Sequence, residues 1–183
     1  RHEPLALGVD VARFGMNASV IFPRKGRDAR TIERFRYNGM STTQLADEVS
    51  NINAQYHADG IMIDGGGVGG GVVDQVRAKR LFCYEVQFGG KDIIHNTIWG
   101  NTGERYANNR SAMYGACRAW VATGALPNDP ELRRQMLAIK YTYNAKDEII
   151  LERKEDLVDE DGNGIALDDI DALVLTFSHP LSR

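Results

Sequence analysis

The sequence is short of most features that would assign it to a specialised class. Cysteine occurs twice, as Cys83 and Cys117, each in apolar surroundings and without a CxxC spacing. That argues against a zinc module or a disulfide and for two buried free thiols. The four histidines, His2, His57, His95 and His179, are scattered without ligand spacing. There is no run of about 18 apolar residues, no signal-peptide pattern, no low-complexity tract and no internal repeat, so an intracellular protein with no membrane partner is expected. Neither sign of charge dominates: 22 Lys and Arg against 25 Asp and Glu leave a net charge of −3, which by itself decides nothing about nucleic acid. A Walker A motif is missing, since "FGGKD" offers Lys91 without the glycine spacing or the Ser/Thr, and there is no GxSxG.

What is present fits one α/β domain. A chain of 183 residues can enclose a full hydrophobic core and is too short for two comfortable domains. It opens at "RHEPLALGVD", with almost no lead-in before the first apolar strand, and is expected to be a fragment of a longer protein. Charge is unevenly spread. Residues 75–146 hold eleven Lys or Arg against five Asp or Glu, whereas residues 147–171 hold eleven acids against two bases. A basic surface beside an acidic centre is one consequence of such asymmetry.

The apolar pattern sets the order of elements. "LALGVDVA" reads as a strand buried on both faces, and "NASVIFPR" and "RTIERFRYN" continue it as an antiparallel meander across the polar turn "RKGRDAR". Ser41 or Thr42 can cap a helix that buries Leu45, Val49 and Ile52. "DGIMIDGGG" is a second buried strand, "GVVDQVRAKR" a helix and "LFCYEVQF" a third parallel strand. A long helix is expected from about Gly103 to Gly124, then a helix in "DPELRRQMLAI", a hairpin in "KYTYNAKDEIILERK" and a closing helix in "LDDIDALVLTFSH". The fold class is therefore α/β: a mixed sheet of three antiparallel strands followed by parallel ones, flanked by helices, with an added β-hairpin. This is the order of a ribonuclease H-like fold.

Acidic residues stand at the ends of these elements. Asp10 ends the first strand, Asp64 ends the fourth, and Asp168, Asp169 and Asp171 open the last helix. The carboxyl edge of an α/β sheet is where active sites collect. Asp168 and Asp171, three apart, share a helix face, while Asp169 turns aside. Singly, each could accept backbone N–H groups or cap a helix. Meeting in one cleft they would need cations or protonation, because two carboxylates about 4 Å apart repel by about 4 kcal/mol at an effective dielectric near 20. An all-oxygen donor set suits two Mg²⁺ or Mn²⁺ ions in phosphodiester hydrolysis.

Two rival patterns overlap these acids. "DEDGNGIALDDI" fills EF-hand positions one, three, five and six with Asp159, Asp161, Asn163 and Gly164, but Ile170 stands where a bidentate Glu is required. A solvated turn accounts for it better. "DGGGVGGGVVD" contains GxGxxG through Gly65, Gly67 and Gly70, with Glu85 about 20 residues on, as a dinucleotide-binding module would have. A run this rich in glycine meets many templates, and Asp64 would repel a pyrophosphate.

Five blocks in order, "GVDVARFGMN", "IDGGGVGGGVVD", "NNRSAMYGACRAWVATGAL", "ILERKED" and "LDDIDALVLTF", resemble the nuclease domain of the large terminase subunit of tailed bacteriophages. The resemblance spans nearly the whole chain. It implies a ribonuclease H-like, resolvase-related fold and a two-metal endonuclease, using Mg²⁺ or Mn²⁺, that cuts concatemeric double-stranded viral DNA during packaging in the cytoplasm of the infected bacterial host. It places the metal-binding, catalytic acids at Asp10, Asp64, Asp168 and Asp171. It also implies an ATPase domain earlier in the same chain, with portal protein and small terminase subunit as partners. The last block departs from the commoner form: Ala166 and Leu167 replace Ser-Pro, and Asp169 is an extra acid, so the third ligand lies among Asp168, Asp169 and Asp171. Candidate DNA contacts are Arg13, Lys91, Arg105, Arg110 and Lys154, each near a site loop or in one of these blocks. The alternatives are a nuclease specific for Holliday junctions and a non-enzymatic dinucleotide-binding module.

Overall fold

The computed structural model describes residues 3–12, 17–93 and 103–181. Its centre is a five-stranded sheet in the order β3-β2-β1-β4-β5, formed by β1 (Leu5–Asp10), β2 (Ser19–Lys25), β3 (Phe35–Tyr37), β4 (Gly60–Asp64) and β5 (Tyr84–Val86). β2 runs antiparallel to both β1 and β3, whereas β4 runs parallel to both β1 and β5. The antiparallel pairs follow one another in sequence, and the parallel ones are linked through helices α1 (Thr42–Tyr56) and α2 (Gly69–Ala78). This is the mixed α/β sheet expected from the sequence.

Side chains alternate across the sheet with the two-residue period of a strand. Leu7, Val9, Ile21, Ile61 and Ile63 meet α1 and α2 on one face. Ala6, Val20, Phe22 and Met62 meet the other layer, made of α3 (Asn109–Val121), α4 (Pro130–Leu137) and α5 (Asp168–Leu175). The same period puts Asp10 and Asp64, two residues beyond Gly8 and Met62, on the α5 face. Parallel pairing of Val9 with Ile63 brings those two strand ends side by side.

Helix α5 is buried along its whole length and packs on β1 and β2. Gly8 permits this: a Cβ there would lie 1.9 Å from the carbonyl oxygen of Ala172. The hairpin is β6 (Tyr141–Tyr143) with β7 (Ile149–Leu151), followed by a 3₁₀ turn at Lys154–Asp156. The α1 cap is Ser41, in a reciprocal capping box with Gln44.

Several elements are shorter than expected, β3 and β5 among them, and the largest difference is at α3. The helix expected from about Gly103 begins only at Asn109, where Asn108 caps it by accepting the Ser111 N–H at 2.9 Å. The residues before it are drawn onto the hairpin instead: Tyr106 bridges Ile149, and the Ala107 N–H donates to the Ile149 carbonyl at 2.9 Å.

Candidate active site

Asp10, Asp64, Asp168 and Asp171 line one cleft of about 470 Å³, together with Asn17, Lys154 and Glu155. Each acid arrives from a different local constraint. Asp64 ends β4, and its Oδ1 accepts the Gly66 N–H at 2.9 Å, which folds the glycine loop back on the strand end. Gly69 lets α2 start against that end, since a Cβ there would lie 1.8 Å from the Asp64 carbonyl oxygen. Asp168 accepts the Ala18 N–H at 3.1 Å and so ties the start of α5 to the residue before β2. Asp171 lies one turn on, with Oδ1 accepting the Tyr114 hydroxyl at 2.7 Å and Oδ2 ion-paired with Lys154.

The electrostatics are those of acids taken out of water without enough counter-charge. Burial, then Asp171, Asp64 and Asp168, push the Asp10 carboxyl well above the usual carboxylate range, and Lys154 offsets part of this. Burial also raises Asp64, against the pull of its Gly66 hydrogen bond and Lys154. Asp168 is raised by burial too, with the Ala18 hydrogen bond and Arg36 working the other way. For Lys154, burial disfavours the ammonium, but Asp171 and Asp10 outweigh it and its pKa rises. Burial, then Asp171, holds the Tyr114 hydroxyl far above the usual phenol range, so it stays a donor.

Asp169 faces away from this cleft. It is fully buried, its Oδ1 bound by Arg34 Nε at 2.7 Å and its Oδ2 by Arg36 and by Gln135 Nε2, the latter at 2.9 Å. The structure therefore gathers Asp10, Asp64, Asp168 and Asp171 and leaves Asp169 on the opposite side of the helix.

The basic candidates separate in the same way. Lys154 stands among the carboxylates. Lys91 and Arg105 are exposed, with Arg105 bonded to the Lys146 carbonyl at the hairpin turn. Arg110 donates through Nη1 to the Glu152 carbonyl at 2.7 Å, while its Nε and Nη2 are buried and have no hydrogen-bond partner among the described residues, so they are not offered to a ligand in solvent. Arg13 lies outside the described residues. Sequence reasoning missed Tyr114 and Gln135; both sit within expected helices, and no local pattern marks their polar atoms as facing α5.

The two rival patterns take up geometries of their own. Asp159 Oδ1 accepts the Asp161 and Asn163 amides at 3.0 and 2.9 Å, and Oδ2 meets Arg134 at 2.7 Å, the arrangement of a pinned turn. At the glycine run, a Cβ on Gly65 would lie 2.6 Å from a Glu85 carboxylate oxygen. With Asp64 beside it, a second carboxylate faces the place where a pyrophosphate would have to sit.

Residues 7–166 match the family described as the terminase RNaseH-like domain. The chain belongs to that family. No curated protein sequence matches it. Among solved structures it is similar to a mutant nuclease domain of the large terminase subunit gp2 of bacterial virus Sf6 with manganese and beta-thujaplicinol. That likeness has 16% identity and a TM-score of 0.73 over 98% of this chain and 90% of the other. It is also similar to the large terminase nuclease from thermophilic phage G20c with bound magnesium, at 15% identity and a TM-score of 0.65 over 96% and 81%. At these identities the structural likenesses establish a shared fold, that of a ribonuclease H-like terminase domain.

Proposed function

We propose that the domain is a divalent-metal-dependent endonuclease that cuts concatemeric double-stranded viral DNA during genome packaging. The observation that supports this most is the meeting of Asp10, Asp64, Asp168 and Asp171 in one cleft, with three of the four carboxyls pushed above their usual range. Such acids lack positive charge, and an oxygen-only donor set suits Mg²⁺ or Mn²⁺. The fit is chemical rather than ready-made: among the described residues no group of three His, Cys, Asp or Glu side chains is arranged to hold an ion as it stands. Lys154 occupies Asp171, so the carboxylates must draw in and the ammonium must release its partner. Asp10, Asp64, Asp168 and the freed Asp171 would then hold two ions.

Bound there, two such ions supply acidified water and charge stabilisation at the phosphate. The chain's own groups do the rest. Gly66 and Ala18 amides aim Asp64 and Asp168, and the Tyr114 hydroxyl fixes the plane of Asp171. Lys154, once displaced, remains beside the cleft as a cation for a phosphate oxygen. Lys91 and Arg105 offer exposed phosphate contacts near the hairpin, and Arg13 is a third candidate. On this reading the domain works beside an ATPase domain of the same polypeptide, with portal protein and small terminase subunit as partners, in the host cytoplasm.

The test is nicking and linearisation of supercoiled plasmid with Mg²⁺, Mn²⁺, Ca²⁺ or chelator, beside the Asp64→Asn variant. Cleavage with Mg²⁺ or Mn²⁺ that disappears in the variant and with chelator is the expected result. A folded wild-type protein whose cutting survives both would overturn the assignment. Preference for four-way junctions over linear duplex would move it to the resolvases.

A further inference from the structure

We propose that Gln135, on α4, is the positioning residue for the acids of α5: it caps that helix from outside and so sets where Asp168 and Asp171 stand. This rests on the reading of those two as metal-binding carboxylates. The first turn of a helix leaves its amides without intrahelical partners, and a side chain just before the helix normally accepts them. Here that position is Leu167, which has nothing to accept with and makes no capping bond. Gln135 Oε1 takes the role instead, accepting the Asp169 N–H at 3.0 Å and the Ile170 N–H at 3.1 Å across 34 and 35 residues of sequence.

The amide is itself held rigidly. Gln135 is 1% exposed, and its Nε2 donates to Asp169 Oδ2 at 2.9 Å and to Glu131 Oε1 at 3.1 Å. Glu131 is in turn bound by Arg134, and Asp169 by Arg34 and Arg36. Helix α5 is thus gripped through Asp169, on the side away from the cleft. A neutral amide suits the place. A capping Asp would add a negative charge to a turn that already carries Asp168, Asp169 and Asp171, whereas glutamine accepts with one end and donates to Asp169 with the other. Without this grip, the turn is free to shift and carries both cleft carboxylates with it.

The test replaces Gln135 by Met, which keeps the length and removes both functions, and measures Mn²⁺ binding by calorimetry together with plasmid cleavage. Arg24→Met is the control. Arg24 serves the other end of the same helix, donating to the Thr176 carbonyl at 2.7 Å, so its loss loosens α5 away from the acids. Gln135→Met is expected to weaken Mn²⁺ binding by roughly tenfold, the usual scale for groups that orient metal ligands. Arg24→Met should lose thermal stability and keep the wild-type affinity. Should Gln135→Met not fold, Gln135→Asn draws the amide back by one methylene and should weaken binding in a folded protein. Unchanged Mn²⁺ affinity in the folded Gln135 variants, or an equal loss in Arg24→Met, overturns the proposal. Wild-type protein that neither binds Mn²⁺ nor cuts DNA overturns the reading of the site and this positioning role with it.

Discussion

Lys154 is ion-paired with Asp171 inside the cleft that Asp10, Asp64 and Asp168 also line, so the cation facing these acids is part of the chain. A metal ion held there would have to compete with it. Lys154→Met should therefore do two opposite things. It should destabilise the metal-free protein by about 1 to 2 kcal/mol, less than a fully buried pair because the Lys154 side chain is 42% exposed. It should also enlarge the rise in Tm on adding Mn²⁺, since the competitor has gone. Thermal melts with and without Mn²⁺ read both; equal metal-induced shifts in the two proteins would show that the ammonium does not compete.

The pH dependence of stability has a definite sign at Asp10. Burial and neighbouring acids raise its folded-state pKa, so the folded protein binds that proton more tightly than the unfolded chain does. The resulting stabilisation is complete below the unfolded value, about 3.9 for an aspartate, and is lost as pH rises through the folded value. Asp10→Asn removes the group from this balance. In the absence of metal the variant should be more stable than wild type at neutral pH, and the gap should close as pH falls toward about 4. Urea denaturation of both proteins at several pH values, with chelator present, checks it; a gap independent of pH would mean that Asp10 is not desolvated.

Neighbouring acids on α5 should behave in contrasting ways. Asp169→Ala takes the buried partner from Arg34, which keeps Asp129, and from Arg36, which is partly solvated, and should cost about 2 to 3 kcal/mol. Asp168→Ala loses one backbone hydrogen bond and relieves repulsion, so its stability should change by no more than about 1 kcal/mol while cleavage disappears. Chemical denaturation beside a cleavage assay separates a structural acid from a cleft acid within two consecutive residues.

How much of this was legible follows from where each signal resides. Asp10 and Asp64 could be found because strand ends and the two-residue period are local, and the Asp168–Asp171 spacing is local as well. The same spacing turned Asp169 aside, yet it stayed among the possible ligands, because the arginines that claim it, Arg34 and Arg36, lie more than 130 residues away. Lys154 was a candidate DNA contact in sequence; the path from β7 through the 3₁₀ turn brings its ammonium among the acids. Tyr114 and Gln135 were invisible because a helix pattern says which face is buried and nothing about which distant amide or carboxylate meets it. The late start of α3 has the same origin, a bridge from Tyr106 to Ile149 that local propensity cannot encode.

Gly8 joins the fold to the site. With α5 pressed against β1, the Ala172 carbonyl oxygen occupies the space where a Cβ of residue 8 would point, 1.9 Å away. Both partners are backbone, so no rotamer change can relieve the clash, and Gly8→Ala must push helix and strand apart. Overpacking of this kind costs about 1 to 3 kcal/mol, which a domain of this size can survive. The geometric effect should be larger than the energetic one. Asp10 lies two residues along the same strand and Asp171 is the residue before Ala172, so the separation opens the cleft directly. A folded Gly8→Ala protein is therefore expected to lose cleavage and Mn²⁺ binding more severely than Ile52→Ala, a destabilising core change on α1, across the sheet from α5. Equal losses at matched stability would mean that the contact between β1 and α5 serves the fold alone.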